Sequence, residues 1–167
     1  MQKIFLFLSF MTLAFTLQAG GDPDLVKLPA GYQSDFKLYH SMNRVGKPQV
    51  VDLYANQKAL DSVGSGEVLN DAIVIMEIYK AKMDAEGNPV IAETGLFEKD
   101  TFAAIAVMEK QQWGEEYAPE KRAGDWGFAL YTPDGSAKAN DLNCASCHIP
   151  LKAQDYLFSF EQLTSFK

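Results

Sequence analysis

The chain has 167 residues, of which 15 are basic and 22 acidic, so its formal net charge is −7. This length is enough for one domain with a single core, and the acidic balance argues against nucleic acid or an anionic membrane as a partner. An acidic surface suits a basic redox partner protein, or it serves solubility alone.

The N-terminus has the features of an export signal. Lys3 provides a positive start, residues 4–17 are almost wholly apolar, and small residues follow. An apolar run of about 14 residues is shorter than the roughly 20 of a membrane-spanning helix, so we expect no stable membrane insertion. The sequence predicts a signal peptide over residues 1–20, a mature domain over residues 21–167 and a periplasmic location.

The first half of the mature chain is rich in strand patterns. Residues 36–44 alternate, with His40 on the apolar parity, and residues 50–54 form a second β-rich run that can pair with the first as a hairpin. Residues 55–63 predict a short helix that glycine ends. The run at 73–79 is apolar on both parities except for one glutamate, which predicts a central strand.

The second half continues this pattern. Residues 84–88 predict a turn, 101–110 fit a strand or a helix, and the charged stretch at 111–124 predicts a solvated excursion. Residues 125–132 alternate as a strand that a turn at 133–135 ends. Together these elements predict an α+β domain, with a β-rich antiparallel sheet and a few short helices.

Both cysteines of the chain lie in one local motif. Cys144 and Cys147 are three positions apart, and His148 follows directly. C-x-x-C-H is the attachment signature of c-type haem, in which the two thiols bind the vinyl groups and the histidine is an axial ligand of the iron. The sequence therefore predicts one covalently bound haem c, with Cys144 and Cys147 as thioethers and His148 as the metal ligand.

Two other kinds of site share part of this motif. A thioredoxin-like redox pair needs a βαβ context and no histidine, and half of a zinc site needs two more ligands, while His40 is the other histidine of the sequence. The export signal favours haem, because c-type haem is attached after export. We expect a C-terminal haem-attachment helix, capped by Asn140 or Asp141 and ended early by Pro150.

The residues around this motif strongly resemble the cytochrome P-460 family. The resemblance is carried by residues 125–148, L-P-A-G-Y at 28–32, L-Y-A-N at 53–56, A-I-V-I-M-E-I at 72–78 and D-Y-L-F-S-F at 155–160. It implies a β-rich fold, a homodimer and a five-coordinate haem whose distal face is open to small ligands.

Two positions of the chain depart from the hydroxylamine-oxidising members of that family. Those members carry a lysine cross-linked to the porphyrin where this chain has Met76, and a distal carboxylate in the segment that here reads Ala104-Ile105-Ala106-Val107. The departures put enzyme activity in doubt. The chain is similar instead to the cytochromes c′-beta, which lack the lysine and bind nitric oxide or carbon monoxide, and this implies that Met76, Ile105 and Ala106 lie at the haem edge or distal side.

Two further hypotheses remain open on the sequence. An electron-transfer cytochrome needs a sixth iron ligand, for which the candidates are Met76, Met83, Met108 and His40. A hydroxylamine-oxidising enzyme needs Lys80 or Lys82 to take over the cross-link. The aromatic side chains that are candidates to cap the haem are Phe36, Phe97 and Phe102.

Overall fold

A computed structural model of the chain describes residues 21–44, 46–138 and 142–167. Its helices are single turns, α1 (Tyr32–Asp35), α2 (Gln57–Leu60), α3 (Cys144–His148) and α4 (Phe160–Thr164), with 3₁₀ segments at Pro119–Lys121 and Ile149–Gln154. Its strands are β1 (Lys37–Asn43), β2 (Gln49–Ala55), β3 (Ile73–Ala81), β4 (Lys99–Lys110) and β5 (Trp126–Tyr131). The predicted α+β class is confirmed.

The strands form one sheet in the order β1-β2-β3-β4-β5, and each neighbouring pair is antiparallel. β3 is central, as its apolar sequence predicts. Ile75 and Val74 project to opposite faces of the sheet and are both buried, because each face of the central strand carries a core.

The two faces of the sheet carry separate cores. We call one the motif face, since its core includes Ala145 of α3 together with Leu53 and Phe128 of the sheet. The other is the tyrosine face, whose core includes Tyr32 and Tyr131. The C-terminal helices pack on the motif face, and the N-terminal segment packs on the tyrosine face.

The tyrosine face also accounts for the one glutamate in the central strand. Glu77 is 2% exposed. Its carboxylate accepts hydrogen bonds from the hydroxyls of Tyr32 (2.7 Å) and Tyr79 (2.8 Å) and from the side-chain amide of Gln33 (3.0 Å). These donors replace the hydration that burial removes from the carboxylate.

Several predicted elements are found with adjusted limits. The run at 101–110 is a strand and forms most of β4, and the helix expected over 55–63 is only the single turn α2. The two predicted turns are present, with Gly87 and Gly135 at positive φ angles of 84°, where glycine avoids the steric cost of a side chain.

The alternation predicted for residues 36–44 is wrong at one point. Leu38 pairs with Tyr54 and His40 pairs with Leu53, so Tyr39 is an extra residue in a β-bulge. Leu38 is therefore 48% exposed, although it lies on the apolar parity, and Tyr39 is buried. The Tyr39 hydroxyl lies 2.7 Å from the Ser159 hydroxyl, which ties this edge strand to the segment before α4.

The stretch at 111–124 is not the solvated excursion that its charges predict. Trp113, Tyr117 and Ala123 are buried. The Trp113 indole N–H donates to the Asp125 carbonyl oxygen (2.9 Å), and the Tyr117 hydroxyl accepts from the backbone N–H of Phe128 (2.9 Å). Two aromatic anchors therefore hold this charged loop on the sheet.

No helix in the described ranges has the length and apolar character that a membrane crossing requires.

Candidate functional site

The C-x-x-C-H motif forms the helical turn α3. Asn143 caps it, since its side-chain oxygen accepts the backbone N–H of Ser146 at 3.0 Å. The expected caps, Asn140 and Asp141, lie outside the described residues. The predicted early end of the helix is confirmed, because α3 stops at His148 and continues as a 3₁₀ segment with Pro150 near its start.

The two cysteines lie on this one turn and form no disulfide. Residues three positions apart on a helix lie on the same side. Cys144 is half-buried against the core of the motif face, where burial raises the pKa of its thiol, and Cys147 is exposed. The arrangement gives one ligand two attachment points on the same side of the turn.

A backbone carbonyl fixes the imidazole of His148. Nδ1 of His148 lies 2.7 Å from the carbonyl oxygen of Tyr156. A carbonyl only accepts hydrogen bonds, so Nδ1 carries the proton and the lone pair is on Nε2. Burial lowers the pKa of His148, which favours the neutral form that binds a metal.

Two phenylalanines flank the imidazole. The ring centroids of Phe128 and Phe158 lie 4.9 Å and 5.1 Å from that of His148. Phe128 is buried in the sheet, whereas Phe158 is 63% exposed. The imidazole is thus held between one core aromatic and one aromatic with a free apolar surface. Neither phenylalanine was among the predicted site residues, although Phe158 lies in the D-Y-L-F-S-F segment that carries the resemblance.

The surroundings of the motif fit a haem, whose flat macrocycle is largely apolar. The motif face is incompletely covered, since Met76 on β3, Ala106 on β4 and Leu130 on the edge strand β5 are half-buried. Ile149, which follows His148 in the sequence, is 49% exposed, and the ring of Phe158 is also exposed to solvent. A porphyrin would cover such surfaces, which are otherwise costly to leave in water.

One polar group on this face also fits. Within the described ranges, the indole N–H of Trp126 is the buried side-chain donor without a hydrogen-bond partner. Trp126 is fully buried in the core of the motif face, two residues from Phe128 on the same strand. Buried polar groups are nearly always paired in folded proteins, and a haem carries propionates that accept hydrogen bonds.

The structure brings together two of the three residues that the resemblance grouped at the haem edge. Met76 and Ala106 are direct partners across β3 and β4. Ile105 lies on the tyrosine face, in the core that contains Tyr131. Neighbouring residues of a strand project to opposite faces, so Ile105 is separated from the motif by the sheet.

Two of the three candidate aromatic caps pack on the tyrosine face of the sheet. Phe36 and Phe102 pack against the core of the tyrosine face, where the Phe102 ring stacks on Tyr79 with centroids 4.9 Å apart. Phe97 lies just before β4, and its backbone N–H donates to the side chain of Asn43 at 2.8 Å. Phe36 and Phe102 therefore lie on the opposite face of the sheet from the C-x-x-C-H motif.

The competing interpretations of the motif find no support in the described part of the chain. The paired strands there are antiparallel, unlike those of a βαβ unit. No cluster of three or more histidine, cysteine, aspartate or glutamate side chains in residues 21–44, 46–138 and 142–167 is arranged to hold a metal ion.

Comparison with known proteins agrees with the haem interpretation. The family model Cytochrome P460 matches residues 29–159, a range that contains the five strands, the C-x-x-C-H motif and the carbonyl that holds the histidine. No curated protein matches the chain. The chain therefore belongs to the cytochrome P460 family and is a haem-binding cytochrome.

Proposed function

We propose that the protein is a periplasmic monohaem c-type cytochrome of the c′-beta kind. Its haem is five-coordinate, with His148 as the axial ligand and Cys144 and Cys147 as thioether attachments, and it binds nitric oxide or a similar neutral diatomic ligand. The observation that carries this proposal is a row of apolar residues on the motif face. The bound haem supplies the open iron position at which the diatomic ligand binds.

This row crosses the four strands from β2 to β5. Leu53, Met76, Ala106 and Leu130 are successive partners in the strand register. Their side chains hold no charge and no hydrogen-bond donor. Such a surface disfavours polar or anionic ligands and gives bound dioxygen no stabilising donor, so neutral diatomics are the favoured guests.

Two acids of the described strands, Glu77 on β3 and Glu109 on β4, are not placed to supply the base that hydroxylamine oxidation needs. Removal of a substrate proton requires a base within hydrogen-bond reach. Glu77 and Glu109 lie on the tyrosine face, since they alternate with Met76 and Met108 along their strands. These positions support a ligand-binding protein over the enzyme.

The lysines beyond the central part of β3 are also poorly suited to the cross-link. The Lys82 ammonium donates to Glu98 at 2.9 Å in an exposed ion pair, and Lys80 is exposed. Lys80 lies four residues beyond Met76, about 13 Å along an extended strand. A mass spectrum of the haem peptide that shows only two thioether bonds is the expected result.

One observation favours electron transfer as the second candidate function. His40 pairs with Leu53 in the strand register, which places it at the edge of the same row. An imidazole bound to the sixth iron position would exclude added ligands. Replacement of His40 by alanine converts a low-spin spectrum to a high-spin one if His40 is a ligand, and our proposal expects no change.

The ferrous absorption spectrum before and after addition of nitric oxide tests the proposal. The expected result is a high-spin, five-coordinate spectrum whose Soret band shifts on nitric oxide. A low-spin spectrum with sharp α and β bands that nitric oxide leaves unmoved would support electron transfer. A ferrous Soret band displaced far to the red would support the cross-linked enzyme.

Export and assembly need separate measurements. The N-terminal sequence of the protein from a periplasmic extract is expected to begin near residue 21.

Sedimentation of the holoprotein is expected to give the mass of a homodimer, as the resemblance implies. A basic redox partner is expected to bind more weakly as salt rises, because salt screens its attraction to the acidic surface.

A further inference from the structure

A strained segment lies directly behind His148. Asp155 and Tyr156 have positive φ angles of 45° and 61°. Residues other than glycine rarely adopt such angles, and they persist only where the surroundings hold them. This segment contributes the carbonyl oxygen that accepts the His148 Nδ1 proton, so whatever holds it also sets the orientation of the imidazole.

A buried ion pair holds the segment. The Lys110 ammonium lies 2.8 Å from a carboxylate oxygen of Asp155, and the two side chains are 8% and 11% exposed. The same carboxylate oxygen accepts the backbone N–H of Val68 at 2.8 Å, and Lys110 donates to the Val68 carbonyl oxygen at 2.7 Å. Asp155 is thus fastened both to the end of β4 and to the segment before β3.

The tyrosine side chain gives little room for the segment to move. A Cβ atom at Gly124 would lie 2.4 Å from Cε2 of Tyr156, so the ring packs directly on the glycine. The Tyr156 backbone N–H donates to the Leu151 carbonyl oxygen at 2.9 Å. The ion pair at Asp155 and these contacts of Tyr156 together restrict the movement of the Tyr156 carbonyl relative to His148.

We propose that Lys110 and Asp155 are positioning residues for the axial ligand His148. Their ion pair holds the Tyr156 carbonyl against His148 Nδ1 and thereby sets the reduction potential of the iron. The inference rests on the proposed role of His148 as the axial ligand. A carbonyl that accepts the Nδ1 proton makes Nε2 a stronger donor to the metal, which favours ferric over ferrous iron. When the ion pair is lost, the carbonyl is free to drift and the Nε2 donor weakens.

The double variant Lys110→Met/Asp155→Asn tests this in the holoprotein. It removes both charges together, so no unpaired charge stays buried. Asparagine tolerates the left-handed backbone and still offers an oxygen to the Val68 N–H. The matched control is Lys82→Met/Glu98→Gln, which makes the same charge change at the exposed pair.

Two measurements report on the ligand rather than on the fold. The iron–histidine stretching band in the ferrous resonance Raman spectrum is expected to move to lower frequency in the Lys110/Asp155 variant and to stay in place in the control. At a fixed potential, the ratio of ferrous to ferric haem is expected to rise on the order of tenfold. This is the lower end of the roughly 10–100-fold effects seen when a metal ligand loses its hydrogen-bond partner. A tenfold change in the ratio corresponds to a rise in the reduction potential of about 59 mV for a one-electron couple.

A holoprotein of the double variant whose band and potential match those of the wild type would overturn the inference. If that variant yields no holoprotein, Lys110→Arg, which keeps both charges but changes the geometry of the donor, is measured against Lys82→Arg on the same terms. The wild-type spectrum separately decides the proposed function. If the wild type proves to be six-coordinate, the potential still tests the positioning role, because His148 remains a ligand.

Discussion

Met76 on β3 lies directly opposite Ala106 on β4, and both project from the face that carries the haem motif. In the hydroxylamine-oxidising members that the chain resembles, a cross-linking lysine occupies this position, so we expect Met76→Lys to add a covalent bond to the haem beyond the two proposed at Cys144 and Cys147. The ferrous Soret band should then move to the red, and the added bond should appear in the mass spectrum of the haem peptide.

The control for that change is Met76→Leu, which conserves volume and adds no nucleophile. It should leave both spectra as in the wild type. A lysine variant that binds haem with only two covalent bonds would show that position 76 does not reach the porphyrin edge.

The ion pair between Lys110 and Asp155 predicts a strong coupling in stability. Lys110→Met should lower the free energy of unfolding by about 3–5 kcal/mol, because it leaves the Asp155 carboxylate buried without its partner. Addition of Asp155→Asn should recover about 0.5–3 kcal/mol relative to the sum of the two single changes. Urea unfolding of the four holoproteins measures this cycle, and strictly additive changes would contradict it.

Gly124 should be far less tolerant of alanine than Gly87. Both glycines have positive φ, 59° and 84°, so both replacements carry a backbone cost of about 1–2 kcal/mol. At Gly87 a Cβ atom meets nothing within 4 Å, whereas at Gly124 it meets the Tyr156 ring at 2.4 Å. The difference between the two unfolding free energies isolates the ring contact. Equal losses would mean that the ring moves aside freely.

Stability should fall at alkaline pH, and Tyr117 should account for part of the loss. Burial raises the pKa of Tyr117 to about 12, while the unfolded chain loses this proton near pH 10. Between about pH 10 and 12 the unfolded state binds fewer protons, so the free energy of unfolding falls by up to about 1.4 kcal/mol per pH unit for this group. The contribution is fully present below pH 10.

Tyr117→Phe should make that decline shallower by the same amount, as read from urea midpoints across the alkaline range. The slope should not vanish, because burial also raises the pKa of Tyr39. A variant as steep as the wild type would mean that Tyr117 does not carry the effect.

Local patterns in the sequence predicted the sheet well. The strand at 73–79 is apolar on both parities except at Glu77, which favours a central strand, and the turn residues at 84–88 and 133–135 need specific backbone angles. The run at 101–110 was ambiguous because its composition suits a helix or a strand. Pairing with both β3 and β5 decides in favour of a strand, and this is a tertiary effect that no window of sequence contains.

The site was predictable only in its local part. The C-x-x-C-H spacing identifies Cys144, Cys147 and His148 without any knowledge of the fold. The partnership of Lys110 with Asp155 joins residues 45 positions apart, and neither has a distinctive neighbourhood in the sequence. The placement of Ile105 follows from strand alternation, which the ambiguity at 101–110 left undecided.

Each strand of the sheet pairs with its neighbour in the sequence, and this has a consequence for the order of assembly. Contacts between sequence neighbours have a smaller sequence separation than contacts between the sheet and the C-terminal segment, and contacts of smaller separation form faster. The platform of β1 to β5 is therefore expected to form before the last part of the chain docks on it. This last part contains the C-x-x-C-H motif, the Tyr156 carbonyl and Asp155. The residues that hold the cofactor are therefore expected to reach their positions only after the sheet has formed.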